Sequence, residues 1–248
     1  MDTSVLLDDR IRQFPCEGVC YAAIAGSHSY GLATAESDID VRGIFCWTLD
    51  EAIQLYPPSD TISRTSTDLD FSFWEIGKAL RLLCNNNGNL IELLHNPLCV
   101  FDSEIGAQMK ELSTLAISAK LADYYRGYSY SQRKRAVVAR GGKALVYAYR
   151  EIYAGICLLE TGRIVFDFFN LIDYMSERGF YSELLAWAMG NRKAEVDEIA
   201  RREYERELDR LDELIDKARE GTRLPQHPPP ELEERANALL YNCRTWSL

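Results

Sequence analysis

Apolar positions change their rhythm along this chain. Residues 4–14 place Val5, Leu6, Ile11 and Phe14 so as to predict a short amphipathic helix. Val19-Cys20-Tyr21-Ala22-Ala23-Ile24-Ala25 is an almost unbroken apolar run closed by Gly26, the profile of a buried strand entering a turn. The stretch from Asp38 to Trp47 begins in polar-apolar alternation and continues apolar, and Thr67 to Trp74 alternates again, so both predict strands. Pro57-Pro58-Ser59-Asp60 predicts a turn between them.

From Glu75 onward the period is helical. Ile76, Ala79, Leu80, Leu82 and Leu83 lead to the stop Asn85-Asn86-Asn87-Gly88, and Asn89 is placed to cap a short helix holding Ile91, Leu93 and Leu94, which Pro97 ends. Helical patterns follow at 103–115, 119–138, 143–160, 168–177, 180–189 and 193–219. A proline-rich joint from Leu224 to Pro230 then precedes a last helix from Glu231. No internal repeat is visible. The pattern predicts an α/β domain over residues 1–102 followed by an all-helical domain over 103–248.

Composition narrows the class. The 248 residues are 47% hydrophobic and 27% charged, as in ordinary globular proteins, and no apolar run approaches the roughly 20 residues that span a bilayer. Met1-Asp2-Thr3-Ser4 opens no basic region followed by an apolar core, so a cytoplasmic protein without a membrane partner is expected. Seven scattered cysteines without a C-x-x-C pair read as small buried hydrophobes rather than a disulfide framework or zinc site. The net charge of −10 opposes nucleic acid on average. One segment departs from it: Gln132 to Lys143 carries Arg133, Lys134, Arg135, Arg140 and Lys143 and no acid. That run is either a solvated helix face or a track for a phosphate backbone.

The chemistry concentrates in Ala25-Gly26-Ser27-His28-Ser29-Tyr30-Gly31, followed by Ser37-Asp38-Ile39-Asp40-Val41-Arg42-Gly43. Residues two apart in a strand share a face, so Asp38 and Asp40 present two carboxylates side by side, which repel unless a cation intervenes. Magnesium commonly binds through one or two carboxylates together with a substrate's phosphates. Glycine lets a backbone approach a phosphate closely, and the Ser27 hydroxyl can donate to it.

These residues resemble the DNA polymerase beta-type nucleotidyltransferase superfamily, which has Gly-Ser, then Asp-x-Asp, then a third carboxylate on a later strand. The longer string is similar to the branch of predicted nucleotidyltransferases associated with RNA ligases and RNA repair. Further likeness lies at Asp70 to Lys78, at Ile91-Glu92-Leu93-Leu94 and from Gly142 to Gly162. Two positions depart from that branch: Asn89-Leu90 stands where Asn-Pro is expected, and Tyr147 where a histidine is frequent. The resemblance implies a nucleotidyltransferase domain with a mixed sheet, followed by a helical domain that clamps nucleotide in a cleft. It implies transfer of a nucleoside monophosphate, AMP first, from an NTP such as ATP to a hydroxyl, with an RNA end as the favoured acceptor. A protein or small-molecule acceptor, or a module that senses nucleotide without turnover, are the alternatives.

On this reading Asp38, Asp40 and a third acid are catalytic and hold two Mg2+ ions, with Mn2+ as the alternative metal. Asp68 and Asp70 both qualify as the third acid, and Asp70 is preferred because it begins the matching string. Gly26, Ser27, His28, Arg42, Lys143, Tyr147 and Arg150 are the nucleotide-binding candidates, the last three sharing a helix face by their spacing. Arg133, Lys134, Arg135 and Arg140 are the candidates for RNA contact. Arg42 can equally pair with a neighbouring carboxylate, Glu92 reads as a buried, paired acid, and His95 and His227 read as structural.

Overall fold

The structure is a computed structural model that describes residues 4–139, 142–180, 182–191 and 198–245. It divides into two compact units, one of Met1–Ile117 with His227–Leu248, the other Ser118–Gln226.

The first unit is built on a five-stranded sheet of β1 (Val19–Ala25), β2 (Ile39–Phe45), β3 (Thr61–Thr65), β4 (Leu69–Glu75) and β5 (Cys99–Asp102), in the spatial order β3-β4-β2-β1-β5. Only the β2–β4 pair is parallel, so the sheet is mixed. One face is a core of Ala22, Ile24, Val41, Phe45, Leu69, Phe71 and Phe73, closed by Ile11 and Leu98. The expected helix over residues 4–14 is instead two 3-10 turns, Ser4–Leu7 and Asp9–Arg12. Asp8 separates them, because its extended backbone and its side chain, which accepts from Arg10 N, start the second turn afresh. β3 and β5 did not stand out in the sequence. Both lie at sheet edges with largely exposed residues, so no buried face imposes alternation on them.

The remaining elements of this unit are α1 (Gly26–Ser29), α2 (Leu49–Ala52), α3 (Ile76–Cys84), α4 (Gly88–His95), α5 (Glu104–Ala116) and, from the far end of the chain, α11 (Glu231–Thr245). Glu75, the last residue of β4, caps α3 by accepting from Gly77 N at 2.7 Å. Asn87, not Asn89, caps α4: its Oδ1 accepts from Leu90 N at 3.2 Å. The units part at residues 117–118 and 226–227 rather than at 102. α5 packs on β1, β5, α3 and α4 through Met109, Leu112 and Ala116, and α11 packs on α3 and α5. Arg244 of α11 pairs with buried Glu75 and donates to Trp47 O at 2.5 Å, so this last helix is tied to the strand ends of the sheet.

The second unit holds α6 (Leu121–Ala139), α7 (Gly142–Thr161), α8 (Phe168–Ser176), α9 (Glu183–Gly190) and α10 (Glu198–Gly221). α7 is its axis, buried along most of its length against α6, α8, α9 and α10. Tyr149 and Ser182 both donate to Glu207, at 2.8 and 2.9 Å, and so bind α7, the start of α9 and α10 together.

Candidate active site

Strand direction alone brings the Gly-Ser turn to the carboxylates. β1 and β2 are antiparallel with Ala25 opposite Asp40, so the end of β1 lies beside the start of β2. The next residue, Gly26, has φ +66°, a conformation strained for any residue with a side chain. A Cβ there would come within 2.5 Å of Asp40 Oδ2. Glycine therefore serves twice, for its backbone angle and for the carboxylate packed against it. Gly26–Ser29 form one helical turn, Ser29 Oγ donates to Gly26 O at 2.9 Å, and Leu32 N closes on Ser27 O at 2.8 Å. Ser27 and His28 are half-buried on this turn, and His28 Nε2 is buried without a hydrogen bond.

The third acid follows from the parallel pair. Asp40 and Asp70 are register partners on β2 and β4, on adjacent strands that run about 4.8 Å apart. Their side chains share the face opposite the core residues Val41, Leu69 and Phe71. Asp70 Oδ1 is buried and has no hydrogen-bond partner. Asp68 lies outside the strand and is paired with Arg10 at 3.0 Å. Of the two sequence candidates, Asp70 is thus the one beside Asp40. Asp38 is exposed just ahead of β2. Arg42, two residues along the same face, pairs with Asp40 Oδ1 at 3.0 Å.

Three residues that the sequence did not single out hold this corner. Asn96 Nδ2 donates to Ile24 O at 2.7 Å, and Leu98 O accepts from Ile24 N at 2.9 Å, which fixes the last turnable residue before Ala25. Tyr30 donates to buried Glu92 at 3.3 Å and anchors the far side of the turn on α4. The Asn96-Pro97 step was the available signal for the first, although its reach to β1 lies in the tertiary fold.

Among the described residues, no three His, Cys, Asp or Glu side chains are gathered as a ready-made metal cluster. The paired carboxylates still fit magnesium, which needs only one or two carboxylates when phosphates complete its shell. Asp70 Oδ1 is the orphaned acceptor that such an ion would satisfy.

The candidates of the helical unit are placed differently from one another. Lys143 is exposed and Tyr147 half-buried, whereas Arg150 is fully enclosed and donates to Glu151 Oε1 at 3.0 Å. The three do not share an open face: the spacing was right, but the helix is buried almost all round. In the basic run, Arg133 is bound to α10, pairing with Asp212 at 2.8 Å and donating to Leu208 O at 3.0 Å. Its side chain is 12% exposed, so it is a structural link rather than an open phosphate contact. Lys134 and Arg135 are exposed, with Lys134 Nζ 4.5 Å from the centroid of the Tyr130 ring. Arg140 lies outside the described residues.

His95 is structural, as expected. Ser113 Oγ donates to Lys110 O at 2.7 Å, which leaves the hydroxyl to accept from His95 Nε2 at 3.0 Å. Burial, with Lys110 nearby, holds the imidazole below its ordinary pKa, so the neutral form is kept.

A mixed sheet whose glycine turn meets strand-borne carboxylates is the architecture that the sequence resemblance implied for a nucleotidyltransferase domain. A model of the RNA repair pathway DNA polymerase beta family matches residues 6–242, and the chain belongs to that family. The uncharacterized protein MJ0002 of Methanocaldococcus jannaschii is 27% identical over 216 residues, 84% of this chain and 87% of that protein. The uncharacterized protein YcgL of Bacillus subtilis is 30% identical over 118 residues, 47% of this chain and 45% of its own. A solved nucleotidyltransferase-like protein from Exiguobacterium sibiricum aligns with 97% of this chain and 71% of its own at 11% identity. Its TM-score of 0.23 is too low to bear on the fold. No helix among the described residues is long and apolar enough to cross a membrane.

Proposed function

We propose that this protein transfers a nucleoside monophosphate, AMP first, from an NTP to a hydroxyl at an RNA end. The observation that carries the reading is the register pairing of Asp40 with Asp70 beside the Gly26 turn. The family's RNA-repair association favours the RNA acceptor.

In the proposed reaction the acceptor oxygen attacks the α-phosphorus, the bond to the pyrophosphate oxygen breaks in line, and the hydroxyl proton passes to the Asp70 carboxylate and from there to water. Gly26 lets the main chain approach the triphosphate, and the Ser27 hydroxyl donates to it. Asp38, Asp40 and Asp70 would hold magnesium, which supplies charge neutralisation on the phosphates and acidifies the attacking hydroxyl. Asp70 Oδ1, buried without a partner, also serves to orient that hydroxyl. Arg42 keeps Asp40 in place while no phosphate is present and is then free to turn to the nucleotide.

Incubating the protein with each α-labelled NTP, magnesium and a short RNA tests this directly. Label should pass to RNA with release of pyrophosphate, and ATP should serve best. A second acceptor class is kept by the net charge of −10 and by the internal use of Arg133. Label on the protein fraction of an extract, with none on RNA, would select it. Tight nucleotide binding with no label transfer to any acceptor would instead make the protein a nucleotide sensor.

A further inference from the structure

Strand pairing extends the candidate site beyond its acids. β3 and β4 are antiparallel, with Thr65 opposite Asp70, Ser63 opposite Ser72 and Thr61 opposite Trp74, while β2 sets Arg42 beside Ser72. Register partners share a face of the sheet. Packing identifies the other face: Ile62 joins the core with Phe71 and Phe73, and the Arg64 guanidinium lies 4.5 Å from the centroid of the Phe71 ring. Ser63, Thr65, Ser72 and Trp74 therefore stand on the face that carries Asp40 and Asp70.

This part of the face is accessible. Ser63 and Thr65 are exposed, and Ser72 and Trp74 are half-buried. The hydroxyls nearby are engaged, Thr61 with Asp60 and Lys78 and Ser66 with Leu69 O. Those of Ser63, Thr65 and Ser72 make no hydrogen bond among the described residues. Beside the third acid the sheet thus offers three uncommitted hydroxyls and, further along, an indole.

Their order along β4 is the order of groups in a nucleoside end. Asp70, Ser72 and Trp74 follow one another at steps of about 6.6 Å. A nucleoside end presents a reacting hydroxyl, then a sugar bearing a second hydroxyl, then a flat base. A serine hydroxyl both donates and accepts, as the ribose 2′-hydroxyl does, and aromatic rings stack bases. An amino acid acceptor would use the acid and leave the rest of the row empty. A 5′ end would bring a hydroxyl with no second one beside it.

We infer that the acceptor is a 3′ ribonucleoside end laid along β4. Its 3′-hydroxyl lies at Asp70, its 2′-hydroxyl bonds to Ser72 with Ser63 alongside, and its base stacks on Trp74. The inference rests on the nucleotide-transfer reading and names the RNA end which that reading leaves open.

Fluorescence anisotropy of the whole protein, with magnesium and a non-transferable ATP analogue, tests it on two short RNAs labelled at the 5′ end. One ends in an ordinary ribose and the other in a 2′-deoxyribose. The wild type should bind the deoxy end about three- to tenfold more weakly, the effect of one lost hydrogen bond. Ser72→Ala should bind both ends at that weaker level. Trp74→Leu should weaken both by about tenfold and keep the preference for ribose. Equal binding of the two ends by the wild type would overturn the inference even if label from an NTP still reaches RNA, as would a ribose preference that survives in Ser72→Ala. Label that reaches neither RNA in the transfer assay would instead overturn the reading on which the inference rests, and the inference with it.

Discussion

Around Asp70 the fold leaves a carboxylate oxygen buried without a hydrogen bond, whereas along α6 it commits Arg133 to Asp212, Asp209 and a backbone carbonyl of α10. As sequence, the two regions look alike, each a cluster of one sign of charge. As structure, one is a buried carboxylate oxygen without a hydrogen bond beside a second carboxylate, and the other an ion pair between facing helices. Charge is therefore available for chemistry where strand pairing puts like charges together, and is withdrawn where a facing helix answers it.

Four measurements test that contrast. Asp70→Asn should lower nucleotide transfer by at least roughly a hundredfold with circular dichroism unchanged, since the amide keeps shape and loses the charge. Asp68→Asn, which removes only an exposed pair with Arg10, should shift stability by about 0.5 kcal/mol or less and leave transfer near wild type. Equal losses in the two variants would show that register with Asp40 does not pick out the acid.

Gly26→Ala comes next. The φ of +66° should cost about 1–2 kcal/mol of stability, and the new methyl should push Asp40 Oδ2 aside. Denaturant unfolding and transfer assays should therefore both register the change. A stable variant with full activity would remove the turn from the site.

Arg133→Ala should destabilise the helical unit by about 1–3 kcal/mol, because Asp212 is left partly buried without its cation. Exposed Lys134→Ala should stay within about 0.5 kcal/mol. If RNA is the acceptor, filter binding across a salt series should respond to Lys134 and Arg135, each lost contact making the log–log slope shallower by about 0.7. Arg133→Ala that folds normally and weakens RNA alone would reverse the contrast.

The smallest effect is a pH dependence. The pKa of His95 is lowered in the fold, so the unfolded chain binds its proton first as pH falls. This contribution to stability is complete above the ordinary histidine value of about 6.5 and is lost as pH drops below it toward the folded value. Unfolding at about pH 7 and about pH 5 should show a smaller drop in His95→Asn than in the wild type. An identical drop would mean that other groups carry the acid sensitivity.

Much of the fold was legible because burial writes itself into periodicity. β1, β2 and β4, each with a buried face, and the long helices α5, α6, α7 and α10 stand close to where their patterns predict. That Gly26 and Asp40 lie side by side was readable because the turn and the start of β2 are near one another in the chain. Edge strands β3 and β5 carried no such imprint. The preference for Asp70 over Asp68 came from the matching string, whereas its place beside Asp40 lies in the β2–β4 register, between residues that no local pattern links. The tie of Arg133 to α10 was hidden for the same reason: nothing near it in sequence announces Asp209 and Asp212. The buried face of Arg150 was hidden because α7 is covered on nearly every side, so helical spacing said which residues align and not which are open.

The return of α11 has a consequence for how the chain acquires its shape during synthesis. The sheet with its helices α3–α5 leaves the ribosome well before residues 231–245, so Glu75 must wait through the whole helical unit for Arg244. Until then Glu75 keeps the Gly77 N–H but lacks its cation, and Cys20 and Cys46 lack the cover of Leu239 and Cys243. The first unit to be made is therefore the last to be finished. A nascent chain halted within α10 should present a loosened sheet domain to chaperones and proteases, while the α6–α7 pair can already be packed.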